Sequence, residues 1–307
     1  MIMMKRIVIT GATSMVALAC IDACLNADIQ VVALVRPHSS RLFRLPKDPR
    51  LTVIPCDITQ LDKVELPKEP YDVFYHCAWG ATSHQGRFDA YEQASNILYA
   101  LDAVRLASRY KCKRFVGVGS QAEYGITSTQ MGPNSPTAPL TPYGIAKNTA
   151  YKLCQQECRS LGMDFLWARI FSIYGPYDNE HTLINDLLNA FEANQRIALT
   201  PCTQIWDYLY SADCGKAMML IGLRGCSGAT YCVGSGIGRP LYEYVYEISA
   251  LYGVDVKDCI GKLKFPSQQS THIQADIRTL TKDTGFVPEI GFTEGIRRII
   301  AYKRSIE

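Results

Sequence analysis

Six apolar runs of strand length recur between residues 6 and 171: "RIVIT" (6–10), "IQVVALV" (29–35), "LTVIPCD" (51–57), "YDVFYHCA" (71–78), "KRFVGVGS" (113–120) and "DFLWARIF" (164–171). They are rich in β-branched and aromatic residues and do not alternate with polar ones. Strands of that kind are buried on both faces, as in a parallel sheet. The stretches 14–27, about 91–110 and 143–161 carry apolar residues at helical spacing. Strands separated by such helices predict parallel β-α-β units with helices on both sheet faces.

Beyond residue 171 the pattern is less regular. Helices are expected at 181–193, 240–253 and 293–304, and "ATYCVGSG" (229–236) reads as a strand that rejoins the sheet. The expected fold class is α/β: a Rossmann-like, doubly wound parallel sheet with a smaller mixed α/β C-terminal lobe. The dinucleotide-binding domain would cover 1–175, with the chain returning to it around 202–236. Segments 176–201 and 237–307 would form the substrate lobe, with a ligand cleft between the two parts.

Composition removes several classes. A net charge of +3, with no basic run, gives no nucleic-acid or membrane surface. The apolar stretch "AMMLIGL" falls far short of a membrane span, and "MIMMKR" does not read as a signal peptide. A cytoplasmic protein is therefore expected. The twelve cysteines include no Cys-x-x-Cys, and most sit in apolar runs. They are read as reduced, buried thiols behaving as small hydrophobes, and no metal site is expected.

Two loops bear on ligand binding. "VITGATSMVA" (8–17) joins the first strand to the first helix, where a glycine turn lets a pyrophosphate approach a helix N-terminus. Gly11 supplies the turn, while Ser14 and Ala17 replace the later glycines of the dinucleotide fingerprint; Thr13, Ser14 and Met15 are the remaining candidates there. The second strand ends "ALVRPHSSR". Arg36 stands where NAD-preferring sites place a carboxylate, with Ser39 and Arg41 close behind. This points to NADP(H), with NAD(H) as the alternative.

In "TPYGIAKNT" (141–149), Tyr143 and Lys147 are four residues apart. Any helix brings such a pair together, so the spacing alone leaves open an ordinary surface pair.

Taken in order along the chain, these motifs resemble the extended short-chain dehydrogenase/reductase family, in its nucleotide-sugar epimerase, dehydratase and reductase branch. The phosphate loop is followed by Asp57 and Ile58 in "PCDIT", by Ala78 and Trp79 in "HCAWGAT", and by Asn96 in the next helix. After these come "GSQAEYG" (119–125), "PYGIAK" (142–147), "RIFSIYGP" (169–176), "WDYLYSAD" (206–213) and "GFVPEIGFTEGI" (285–296). The resemblance implies that Asp57 contacts adenine and that 76–82 line the cofactor. It also makes Ser120, Tyr143 and Lys147 the catalytic residues, with Lys147 holding the nicotinamide ribose as well. A phenol with a reference pKa near ~10 needs help to exchange a proton at neutral pH. A nearby lysine and a positive nicotinamide would lower that pKa, and Ser120 would bond the developing alkoxide.

The same resemblance separates reaction types. The dehydratases use a Thr-Asp-Glu-x-Tyr-Gly segment, and here it reads Ser120, Gln121, Ala122, Glu123, Tyr124, Gly125. Both acid/base carboxyls are missing, which disfavours dehydration. Ala122 also replaces the glutamate of the decarboxylases and the cysteine of the 3,5-epimerase/4-reductases. A 4-ketoreductase using NADPH and a 4-epimerase with tightly bound NAD remain, with the reductase preferred on account of Arg36. A non-catalytic dinucleotide sensor is a third reading. Gln121, Ser172, His181 and Trp206 are the substrate-side candidates, although His181 could equally be a plain loop histidine. With Trp206 in place of a diphosphate-binding arginine, Arg239, Arg278 or backbone amides would hold the diphosphate of a nucleotide-sugar substrate. A homodimer through helices 91–110 and 143–161 is implied.

Overall fold

Seven parallel strands form the centre of the computed structural model, which describes residues 4–265 and 270–306. The first six are β1 (Arg6–Thr10), β2 (Gln30–Val35), β3 (Leu51–Pro55), β4 (Val73–His76), β5 (Arg114–Ser120) and β6 (Asp164–Ile170). The short strands β7 (Ser172–Tyr174), β8 (Ile205–Trp206) and β9 (Tyr208–Tyr210) follow, and β10 (Thr230–Val233) returns to the sheet. The spatial order is β3-β2-β1-β4-β5-β6-β10. The order reverses between β1 and β4, and ligands of doubly wound sheets bind outside the carboxyl ends of strands at such a point. Two small sheets, β7 with β9, and β8 between β11 (Arg239–Pro240) and β12 (His272–Ile273), complete the strands.

The helices are α1 (Met15–Asn26), α2 (Ala90–Arg109), α3 (Pro142–Ser160), α4 (Leu183–Glu192), α5 (Ser211–Arg224), α6 (Leu241–Tyr252), α7 (Arg278–Thr284) and α8 (Phe292–Ile306). One sheet face, carrying Ile7, Ile9 and Tyr75, packs on α1, α5 and α7. The opposite face, carrying Val8, Phe74 and Phe115, packs on α2 and α3. This alternation of successive strand residues between two apolar cores is why the runs show no polar period. Cys20, Cys24, Cys154, Cys158 and Cys214 are buried in these cores as small apolar groups. A third core gathers Tyr174, Leu187, Val245 and Ile299 beneath α4, α6 and α8.

The expected strands and helices are all present, including the return of residues 230–233 to the sheet edge. Helix α5 is an addition that periodicity did not indicate. It is covered on several sides by α1, the sheet and α7, and so has no polar stripe to mark it. Its Gly215 also lowers helix propensity. A side chain there would strike the Ala19 carbonyl, at 2.0 Å from the Cβ position, so the glycine is needed for α5 to lie against α1. Among the described residues no helix is long and apolar enough to cross a membrane.

Candidate active site

The carboxyl ends of β1, β4, β5 and β6 open into a cavity of about 500 Å³ roofed by β7–β9 and the start of α4. Ser14, Met15, Arg41, Trp79, Ser120, Gln121, Tyr143, Lys147, Ser172 and Trp206 all line it. These candidates, dispersed over almost 200 residues, are thus brought to one place.

The phosphate-loop turn is built by Gly11, at φ 63°. A Cβ there would lie 2.7 Å from the Ala78 backbone, so only glycine lets the β1 and β4 loops abut at the reversal of strand order. Thr13 leads into Ser14, which caps α1 by accepting from the Ala17 amide. Gly11, Thr13 and Ala78 lie on the loops after β1 and β4 and do not line the cavity themselves. Asp57 caps the turn containing Ile58 and accepts from the Thr59 amide at 3.0 Å. Arg36 and Ser39 lie on the segment after β2, outside the cavity lining.

Tyr143 and Lys147 are held by the first turns of α3, which Thr141 caps and Pro142 begins. Lys147 Nζ donates to the Val118 carbonyl at 2.7 Å and lies 3.6 Å from the Trp79 ring centroid. Burial pulls its pKa down to about 7, against the pull of the Glu123 carboxylate. Burial pushes the Tyr143 phenol above its ordinary range, while the Arg87 charge and a hydrogen bond from Ser120 act in the opposite direction. Arg87 and Ser120 thus add to the electrostatic help that the resemblance assigns to Lys147, whose Nζ lies 5.9 Å from the Tyr143 ring centroid.

Ser120 ends β5. Its amide donates to Glu123 Oε1 at 2.8 Å, and its hydroxyl accepts from the Ala122 amide at 3.2 Å. Glu123, fully buried, also receives Arg169 Nε at 2.8 Å and Trp167 Nε1 at 3.1 Å. Sequence reasoning passed over Glu123 as a variable position. The signal available was Arg169, a lone charge within an apolar strand, which requires a buried partner.

Other candidates fall elsewhere. His181 is exposed, 3.7 Å from Asp186, and does not line the cavity. Arg239 is paired with Glu247, and Arg278 with Asp276, so neither is a free cation for a diphosphate. Arg44, Arg87, Asp178 and Tyr208 line the cavity and were not singled out from the sequence. Among the described residues no cluster of His, Cys, Asp or Glu suits a metal.

Asp178 is the carboxylate among the lining residues. Burial pushes it up to about 6, against hydrogen bonds from the Asn179 amide and the Thr182 hydroxyl. A carboxyl with a raised folded pKa stabilises fully below its unfolded pKa, and that contribution is lost as pH rises through about 6. Asp178→Asn should therefore raise the melting temperature at pH 8 by a few degrees, an effect on the order of 1–3 kcal/mol, with the gap falling to less than about half of that at pH 4.5 and closing only below the unfolded pKa of ~3.9. Melting curves of both proteins at the two pH values check this; equal gaps at both would refute the titration.

The residues present suit an anionic dinucleotide. Arg44 Nε and Trp206 Nε1 are buried with no hydrogen-bond partner among the described residues, and both side chains line the cavity. Lys147 uses only part of its donor capacity on Val118. Donors left unpaired in this way call for acceptor oxygens.

Together the sheet order, the glycine turn and the Ser-Tyr-Lys set define a short-chain dehydrogenase/reductase type of site. Residues 7–234 match the model of the NAD dependent epimerase/dehydratase family, and the chain is an enzyme belonging to that family. It is similar to an uncharacterized UDP-glucose epimerase of Bacillus subtilis (strain 168), 25% identical over 289 residues that span 88% of this chain and 87% of the relative. Its fold resembles that of a UDP-N-acetylglucosamine 4-epimerase from Methanobrevibacter ruminantium M1, crystallised with UDP-N-acetylmuramic acid. That likeness has a TM-score of 0.88 at 21% identity, over 100% of both chains. A dTDP-glucose 4,6-dehydratase from Streptomyces venezuelae, crystallised with NAD, is similar with a TM-score of 0.85 at 20% identity, over 98% of this chain and 97% of the other.

Proposed function

We propose that the protein is an NADPH-dependent 4-ketoreductase acting on a nucleotide-linked sugar, in the synthesis of deoxysugar or polysaccharide precursors. The observation that carries this reading is the convergence of Ser120, Tyr143 and Lys147 on the cavity that the phosphate loop also enters, with Ala122 where elimination would need a carboxyl. A bound nicotinamide would supply the hydride and, when oxidised, a positive charge. The chain supplies the rest. Ser120 holds the carbonyl oxygen, Tyr143 gives it a proton as it becomes an alkoxide, and Lys147 holds the nicotinamide ribose while its charge supports the phenolate left behind. Trp206 Nε1 donates to the nucleotide portion, and Gln121 and Ser172 bond the sugar.

The preference for NADPH rests on Arg36 and Arg41. No carboxylate occurs between Arg36 and Lys47 to repel a 2′-phosphate. A second reading, a 4-epimerase that retains NAD, is favoured by the NAD-bound neighbour and by the epimerase names of two relatives. Denaturing protein purified without added cofactor and identifying the released nucleotide separates the two. The reductase predicts little released cofactor, and then binding of NADPH at least tenfold tighter than NADH. Near-stoichiometric NAD would replace it with the epimerase.

The homodimer reading is supported by the outward faces of α2 and α3, which expose Tyr91, Leu98, Ile145 and Leu153. Sedimentation at micromolar concentration would test it.

A further inference from the structure

We propose that the sugar carries a carboxylate on a carbon next to the reacting one, and that Arg87 anchors it. This inference rests on the nucleotide-sugar reading and names its substrate class. The Arg87 guanidinium carbon lies 5.0 Å from the Tyr143 ring centroid and lines the cavity. Its Nε donates to the Thr82 carbonyl at 3.1 Å, and among the described residues it has no carboxylate partner. The two terminal nitrogens are therefore left as a planar fork, the geometry that receives a carboxylate through two bonds.

The loop that presents this fork is a built one. Gln93 is 1% exposed, and its amide nitrogen donates to the carbonyls of Ala81 at 3.0 Å and Gly86 at 2.9 Å. Its Oε1 accepts from Trp79 Nε1 at 2.8 Å. The Arg87 amide donates to the Ser83 carbonyl at 3.0 Å. A buried glutamine satisfied on both ends thus fixes Trp79 over Lys147 and Arg87 over Tyr143 at the same time. The other arginines lining the cavity, Arg41 and Arg44, come from the β2–β3 segment on the side of Ser14 and Met15, suited to cofactor phosphates. Arg87 stands instead beside the proton donor. The oxygen that Tyr143 protonates is bonded to the reacting carbon, so a cation against that ring faces the substituent of an adjacent carbon and not a diphosphate several bonds away.

The test compares base-matched pairs, UDP-glucuronate against UDP-glucose and GDP-mannuronate against GDP-mannose, by calorimetric titration into cofactor-loaded wild type, R87Q and R87K. In at least one pair the wild type should bind the acid about tenfold or more tightly than the neutral sugar. R87Q should bring that ratio near one without weakening the neutral sugar, and R87K should restore part of it. Equal affinities within both pairs, or no binding of any of the four, would overturn the anchor. A loss in R87Q that is the same for acid and neutral sugar would also overturn it, by assigning Arg87 to the diphosphate. Selective binding of the acid with no turnover by any assay would sink the oxidoreductase reading and leave the anchor standing.

Discussion

Replacing Tyr143 with phenylalanine should lower turnover by about 10²–10⁴-fold, the range expected for loss of a positioned general acid, while cofactor affinity changes by less than about twofold. The substitution removes a single oxygen. The ring would keep its edge contact with Trp79, at 6.3 Å between centroids, and its place beneath Arg87. Lys147 would keep its bond to Val118, so the wall offered to a cofactor would be unchanged. What disappears is the proton that must reach the substrate oxygen as the carbonyl is reduced. Burial holds the phenol protonated, so it is a ready donor, and Arg87 with Ser120 stabilises the phenolate left after donation. Fluorescence titration of cofactor, paired with single-turnover measurement of its oxidation, separates binding from chemistry. Turnover within about threefold of wild type would remove Tyr143 from the reaction, whatever the cofactor affinity.

The ease with which the sheet could be read from the sequence has a physical cause. Strands such as "RIVIT" and "DFLWARI" are buried on both faces and must be apolar throughout, and the helices between them must show one apolar face each. Ser120, Tyr143 and Lys147 were visible because local elements position them: a strand end and the first turn of a proline-started helix. The elements that stayed hidden depend on tertiary neighbours. The face that helix α5 turns to solvent carries Ala212, Lys216, Met219 and Leu223, mostly apolar, so its period is erased. Arg87 and Asp178 acquire meaning only because loops distant in sequence meet over Tyr143 or beneath Tyr208. His181 was open between a substrate contact and a plain loop histidine because neither reading depends on a local element. A φ of 61° turns the chain there, and the side chain is exposed beside Asp186, outside the cavity lining.

The largest stability effect should come from Glu123, through which fold and site are joined. Its carboxylate accepts from the Ser120 amide, Trp167 and Arg169, and it has no exposed surface. Glu123→Ala would leave the Arg169 guanidinium, 4% exposed, without its counter-charge. Breaking a buried pair from one side costs about 3–5 kcal/mol, which for a chain of this size is a fall in melting temperature on the order of 10 °C. Glu123→Gln should fall in between: its oxygen can still accept from Ser120, while its amide nitrogen would face Arg169 with a second donor. Glu289→Gln is the control, since its pair with Lys216 lies at the surface and should be worth less than about 1 kcal/mol. The same carboxylate fixes the backbone of Ser120, so Glu123→Gln should also lower turnover more than it weakens cofactor binding. Thermal melts and steady-state rates of the three variants decide the matter. If Glu123→Ala melted within about 2 °C of wild type, the buried pair would not hold β5 to β6, and the placement of Ser120 would need another cause.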